Sequence, residues 1–167
     1  MSNIVKQTAG IALGSALAFG VASQASAQLI THKDLSLAMA TQIAVAAVEA
    51  CKANGYNVSA HVLGREGQVI VAMRNENAGI ATFENSMKKA YTARTFSRSS
   101  GEFANGVKGN PNAGALWLTN IVPTQGALPI KVGNETIGAI GISGAPGGEK
   151  DEACAKAGID KVEAELK

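Results

Sequence analysis

The chain has 167 residues, with 15 lysines and arginines against 13 aspartates and glutamates. A formal charge of +2 without a basic run excludes the electrostatic footprint of a nucleic-acid binder. Aromatic residues make up only 4% while glycines number 19, so close backbone packing is expected in place of a wide aromatic-lined cleft.

The first 27 residues have the three parts of a secretory leader. Lys6 is their only charge, residues 11 to 22 form an apolar core too short for a membrane span, and Ala25-Ser26-Ala27 is a small-x-small cleavage site. The mature chain is therefore expected to start at Gln28, in the periplasm or outside the cell, with no stable membrane insertion after cleavage. Removing 27 residues leaves 140, with 14 basic and 13 acidic side chains, the size of one ordinary domain. An oxidising compartment permits the two cysteines, Cys51 and Cys154, to pair. Pairing requires the first and last helices to lie side by side; two separate buried thiols are the other reading.

Residues 34 to 53 read as a helix, with Ile43, Ala47, Val48 and Cys51 at three- and four-residue spacing and Asn54-Gly55 as its end. Two starts compete, a capping box from Thr31 to Asp34 and a cap at Ser36. The runs NVSAHVL and QVIVAMR follow, joined by a turn at Gly64-Arg65-Glu66-Gly67. Both alternating sets of the second run are apolar, so the sheet is expected to be covered on both faces.

A second long helix is expected over 81 to 98, its buried stripe Phe83, Met87, Ala90 and Arg94, with Lys88, Lys89 and Arg98 turned to water. Ser99 and Glu102 form a capping box, and Asn110-Pro111 places a cap before a proline suited to a first turn, so short helices are expected near 100 to 105 and 111 to 118. ALPIKV and ETIGAIGIS then flank Gly133-Asn134, a two-residue hairpin signal, before a last helix from about Glu149 to Leu166. Hairpins in place of crossovers predict an α+β fold, a mainly antiparallel sheet with helices set against it.

The glycine-rich stretch after the last strand is not a phosphate loop. Gly148 is followed by Glu149 where a P-loop needs lysine and a hydroxyl, and Gly138, Gly141 and Gly144 lack the spacing of a dinucleotide fingerprint. These glycines allow a helix to approach and the chain to turn, and free amides at Gly144, Gly147 and Gly148 offer a place for a carboxylate. Glu149, Asp151 and Glu152 suit a hard cation or, more simply, the dipole of the helix they begin. No nucleophile elbow or cysteine–histidine motif is present. His61 stands out, a polar ring in an apolar strand that must find a partner or coordinate something. His32 sits on an arm near the mature start that can swing in as a second ligand.

The runs LSLAMATQIAVAAVEACKANGYNVSAHVLGREGQVIVAMRNENA, KKAYTARTF and GALPIKVGNETIGAIGISGAPGGEKDEACAKAGID together resemble the GlcG/HbpS-like family of heme-binding proteins. The resemblance implies a profilin-like α+β domain over 28 to 167, with an antiparallel sheet of about five strands, working as a homo-oligomer. It also implies heme as the cofactor, for capture, storage or redox sensing, with heme breakdown as an enzymatic alternative. Gly64 stands where the family pattern has an acid, and Arg74, Asn75, Glu76, Asn77 and Ala78 stand where it has Arg-x-Asp-x-Ala, so no metal or acid–base role is carried to those positions. The family supplies no transferable iron ligand. On chemical grounds His61 and then His32 are the expected ligands, with Arg74, Arg94 and Arg98 as partners for the propionates. Capture of a small organic carboxylate at the glycine turn is the alternative.

Overall fold

The first helix, α1 (Leu37–Ala53), starts at Ser36, whose hydroxyl accepts from the Met39 amide 3.2 Å away, so the serine and not Thr31 is the cap. The computed structural model describes residues 28–167; the expected leader, residues 1 to 27, lies outside them. Residues His32–Lys167 form one unit of contacts.

Strands β1 (Ser59–Leu63) and β2 (Val69–Arg74) form the first hairpin, and β3 (Ala127–Val132) and β4 (Glu135–Ser143) the second. They join in one antiparallel sheet of order β2-β1-β4-β3. The four strands expected from the residues are the four present among the described residues, one fewer than the resemblance implied. Helix α2 (Thr82–Phe96) lies between the hairpins in sequence, α3 (Ser100–Val107) follows it, and α4 (Gly148–Asp160) closes the fold. No helix among the described residues is long and apolar enough to cross a membrane.

Register divides the sheet into two unlike faces. Val71, Val62, Ile140 and Leu128 pair across the strands and point to α1 and α4, where they meet Ile43, Ala44 and Ala47 of α1 and Ala155 of α4. Gly158 lets these helices touch, since a Cβ there would lie 2.5 Å from the Ile43 carbonyl oxygen. A disulfide between Cys51 and Cys154, with Cα atoms 5.5 Å apart, joins them, which decides between the two readings of the cysteines.

The opposite row runs Ala72, His61, Gly141 and Ala127, small except for the imidazole. Helix α2 packs on this row, and the fit is backbone to backbone. A Cβ on Gly141 would lie 2.6 Å from the Ala90 amide nitrogen and closer still to the Ser86 carbonyl oxygen. The buried face of α2 is therefore Ser86, Lys89, Ala90, Thr92 and Ala93, a stripe rotated from the expected one. Phe83 is 41% exposed, and Lys89, expected in water, is only 4% exposed.

Other elements also depart from expectation. The helix expected over 111 to 118 is a single 3-10 turn, Gly114–Trp117, with no buried residue; a short segment without a packed face has little to hold it helical. Helix α4 ends at Asp160, where the chain turns to seat Val162 in the core, and a 3-10 turn Glu163–Glu165 follows. The capping box of Ser99 and Glu102 is present in full at the start of α3. Strand β2 is a sheet edge, and its Val69, Ala72 and Arg74 stay exposed, so cover on both faces is incomplete there.

Two stability outcomes are expected. Reducing the disulfide, which closes a separation of 103 residues, should lower the unfolding free energy by about 3–5 kcal/mol in denaturant melts with and without reductant. Gly141→Ala should cost roughly 1–3 kcal/mol or more because backbone must move, while Gly114→Ala, whose Cβ would meet nothing within 4 Å, should be near neutral.

Candidate functional site

His61 lies in the middle of β1, 3% exposed, beneath the N-terminal half of α2. Its Nδ1 is 2.8 Å from the Ser86 hydroxyl, which also donates to the Phe83 carbonyl oxygen at 2.9 Å. A hydroxyl has one proton, so making both contacts requires Nδ1–H to donate to Ser86 and leaves the lone pair on Nε2. Nε2 has no hydrogen-bond partner among the described residues. Burial pushes the imidazole down to about 4, so the ring is neutral at physiological pH. Phe83 packs edge-on against it with centroids 4.5 Å apart.

A fixed tautomer, a neutral ring and an unspent Nε2 are what a metal-binding imidazole requires. Beside it, Ala72 faces the same side from β2 and is exposed, as is Phe83 in the first turn of α2.

The other expected residues are distributed unevenly. Arg94, further along α2, has its Nε buried with no partner. Arg74, which pairs with Ser59 on the face of His61, donates to the Ala78 carbonyl oxygen at 2.5 Å. Arg98 sits over the rings of Phe96 and Phe103, 5.9 and 5.5 Å from their centroids, and belongs to the α2–α3 contact. His32 is exposed, in the segment whose Lys33 carbonyl oxygen and Asp34 carboxylate accept from Arg65 in the first hairpin turn. It makes no hydrogen bond or ring contact with His61.

The glycine turn holds a second polar site. Gly144, Gly147 and Gly148 border a hollow of about 450 Å³ shared with Thr82, Asn85, Lys89, Ser143 and Asp151. At its floor Lys89 Nζ donates to Asp151 Oδ2 at 2.7 Å and to the Ile142 carbonyl oxygen at 3.1 Å. Asp151 Oδ1 accepts from the Ala145 amide at 3.0 Å. Burial holds the Asp151 carboxyl above its ordinary value, an effect that Lys89 and the Ala145 amide offset only in part. Gly126 is required beside this pair, since its φ is +136° and a Cβ would lie 2.5 Å from Lys89 Nζ.

The cation site offered by Glu149, Asp151 and Glu152 does not assemble. Asp151 turns inward to Lys89, while Glu152 accepts from Gln125 and from the Gly101 amide. No cluster of three metal-ligating side chains occurs among the described residues. Ser86 and Lys89 are the site residues that sequence reasoning missed. Their signal was the spacing of Ser86, Ala90 and Ala93, small residues that mark the face on which α2 meets glycine in the sheet.

Comparison with known proteins places the chain in a family. A sequence profile described as "Haem degrading protein HbpS-like" matches residues 35–160. An uncharacterised 15.0 kDa protein of the dhaT-dhaS intergenic region in Citrobacter freundii is 33% identical over 131 residues, 75% of this chain and 90% of that one. The crystal structure of HbpS superposes with a TM-score of 0.74 at 32% identity, covering 80% of this chain and 93% of that one. A PduOC:heme complex gives 0.70 at 25% identity, covering 76% and 94% respectively. The chain belongs to the HbpS-like family.

Proposed function

We propose that the protein is an exported, homo-oligomeric heme-binding protein of the periplasm or the extracellular space, for heme capture, storage or redox sensing. The observation that carries this reading is the His61 imidazole, neutral, with its tautomer set by Ser86 and its Nε2 unspent, beside the exposed Ala72 and Phe83. Support also comes from the likeness to a protein solved as a heme complex.

The residues present fit the group. His61 is the first ligand, and His32, on its exposed arm, the second. Arg94, with a buried Nε that lacks an acceptor, suits a propionate, and Arg74 can exchange a carbonyl for one. Arg98 is occupied by aromatic rings and ranks last. Heme, when bound, supplies an iron centre whose reactivity is tuned by the axial ligand and its hydrogen bonds. The chain's own part is to hold the imidazole in one tautomer through Ser86, keep it unprotonated by burial, and cover it with Phe83. Because His61 is buried, binding requires Phe83 at the first turn of α2 to move aside.

A second reading, heme degradation, is favoured by the description of the family whose profile the chain matches. It would appear as loss of the heme spectrum with release of an open tetrapyrrole when a reductant and dioxygen are both supplied.

A heme titration followed by absorbance should give a saturable Soret shift at one heme per chain or fewer. His61→Ala should lose most of that shift, the double variant with His32→Ala all of it, and Phe83→Ala should bind heme faster. An unchanged Soret band in the double variant refutes the ligand assignment. With His61 titrating near 4, heme binding should persist at pH 5.5, where an exposed histidine titrating near 6.5 is mostly protonated.

The same shift makes a stability prediction. Unfolded His61 takes up a proton as pH falls below about 6.5, while the folded ring resists until about 4, so stability present above 6.5 is lost through that window and not further below it. Urea melts at pH 7 and pH 5 should show a smaller acid loss in His61→Leu than in the wild type.

A further inference from the structure

We propose that the Cys51–Cys154 disulfide is a site of thiol exchange, opened at the Cys154 sulfur by small anionic thiols that enter a hollow between α1 and α4. The two ends of the bond are not equally shielded. Cys51 is fully buried, whereas Cys154 is 4% exposed and forms part of the wall of a hollow of about 280 Å³. Cys51 is not among the residues that line it. Ala50, Ala153 and Ala157 do, and alanine at these wall positions leaves open a space that longer side chains on either helix would fill.

The class of thiol follows from the charge at the hollow. Of the residues that line it, Lys150 alone is charged. Its side chain is exposed, its ammonium stands 5.7 Å from the centre of the Tyr56 ring, and it makes no ion pair among the described residues. The acids beside it in sequence are turned elsewhere, Asp151 to Lys89 and Glu149 against Gly147. The thiolate is the attacking form of any thiol, so one uncompensated ammonium draws it in, and a thiol that carries a further negative group is drawn more strongly.

The incoming thiolate forms a bond to the Cys154 sulfur as the bond to Cys51 breaks, and that electron pair leaves with the Cys51 sulfur, which takes a proton from water. A second thiolate that attacks the sulfur of the attached thiol frees Cys154, so two thiols are oxidised to their disulfide and the protein gains two electrons and two protons. Cys51 lies within the apolar cluster, where a thiol resists ionisation. Its return attack is therefore slow, and the mixed disulfide on Cys154 persists long enough to be trapped. Exchange at this sulfur releases the covalent tie between α1 and α4 without the fold first having to open.

The proposal is independent of heme, and its test is made on heme-free oxidised protein. Reduction is followed with 2-mercaptoethanesulfonate, which is anionic, and with neutral 2-mercaptoethanol, each rate expressed per thiolate and divided by the same thiol's rate on 2-hydroxyethyl disulfide. The anionic thiol should be about three-fold faster in wild type, an advantage that shrinks in high salt. Lys150→Glu, a change at an exposed position, should reverse the order. Quenching early with iodoacetamide and mapping by mass spectrometry should find the thiol on Cys154 and the carbamidomethyl group on Cys51. An adduct on Cys51 overturns the assignment of the attacked sulfur. Equal normalised rates for the two thiols, which is the result expected if reduction waits for global unfolding, or a Lys150→Glu variant with the wild-type order, overturns the hollow as the point of entry.

Discussion

The contact on which the rest of this structure depends is that of α2 with β4 at Gly141. With no side chain at that position, the Ser86 to Ala90 turn of the helix rests directly on the strand backbone. Every functional placement follows from that height. Ser86 reaches the His61 ring in the neighbouring strand, and one turn later Lys89 reaches past the strand end to the Ile142 carbonyl oxygen and to Asp151. A helix held even one methyl group further away would leave the imidazole and the ammonium buried without partners, and both arrangements cost most when half-made.

The two sites use burial in opposite ways. At His61, burial keeps a base neutral and so preserves a lone pair. At Lys89, burial is tolerated only because a carboxylate 2.7 Å away shares the cost, and such a pair stabilises little against an apolar replacement of the same shape. The pair also ties four segments together, α2, the end of β4, the turn after it and α4.

Much of the fold was legible in the sequence. Alternation and turn chemistry located all four strands, and the capping box of Ser99 and Glu102 appears as expected. What misled was the phase of α2. A search for large apolar residues selects Phe83 and Met87, whereas the sheet beneath is lined by glycine and alanine, and the helix turns its small residues toward them. A shift of one position along the helix rotates the buried face by about 100°. That rotation took Lys89 from an expected solvent face to the floor of a cavity and brought Ser86 to His61. His61 itself was legible because a lone polar ring in an apolar strand demands a partner; the partner's identity was not, because it lies 25 residues away and depends on that phase.

The unequal faces of the sheet explain why the chemistry gathers on one side. On the α1 and α4 side the strands offer Val62, Ile140 and Ile142, the helices offer Ile43 and a run of alanines, and a disulfide joins the two helices. That side has the close packing and the covalent restraint that make a rigid base. On the α2 side the sheet is paved with Ala127, Ala139 and Gly141, and the buried groups include Ser59, His61, Ser86, Lys89 and Ser143. Small residues bring backbone close but bury little apolar area, so this face contributes less to stability per residue and relies on hydrogen bonds for its order. A fold that draws its stability from one face is free to place unspent polar groups on the other, and Ala72 of the edge strand β2 stays exposed on that second face beside His61.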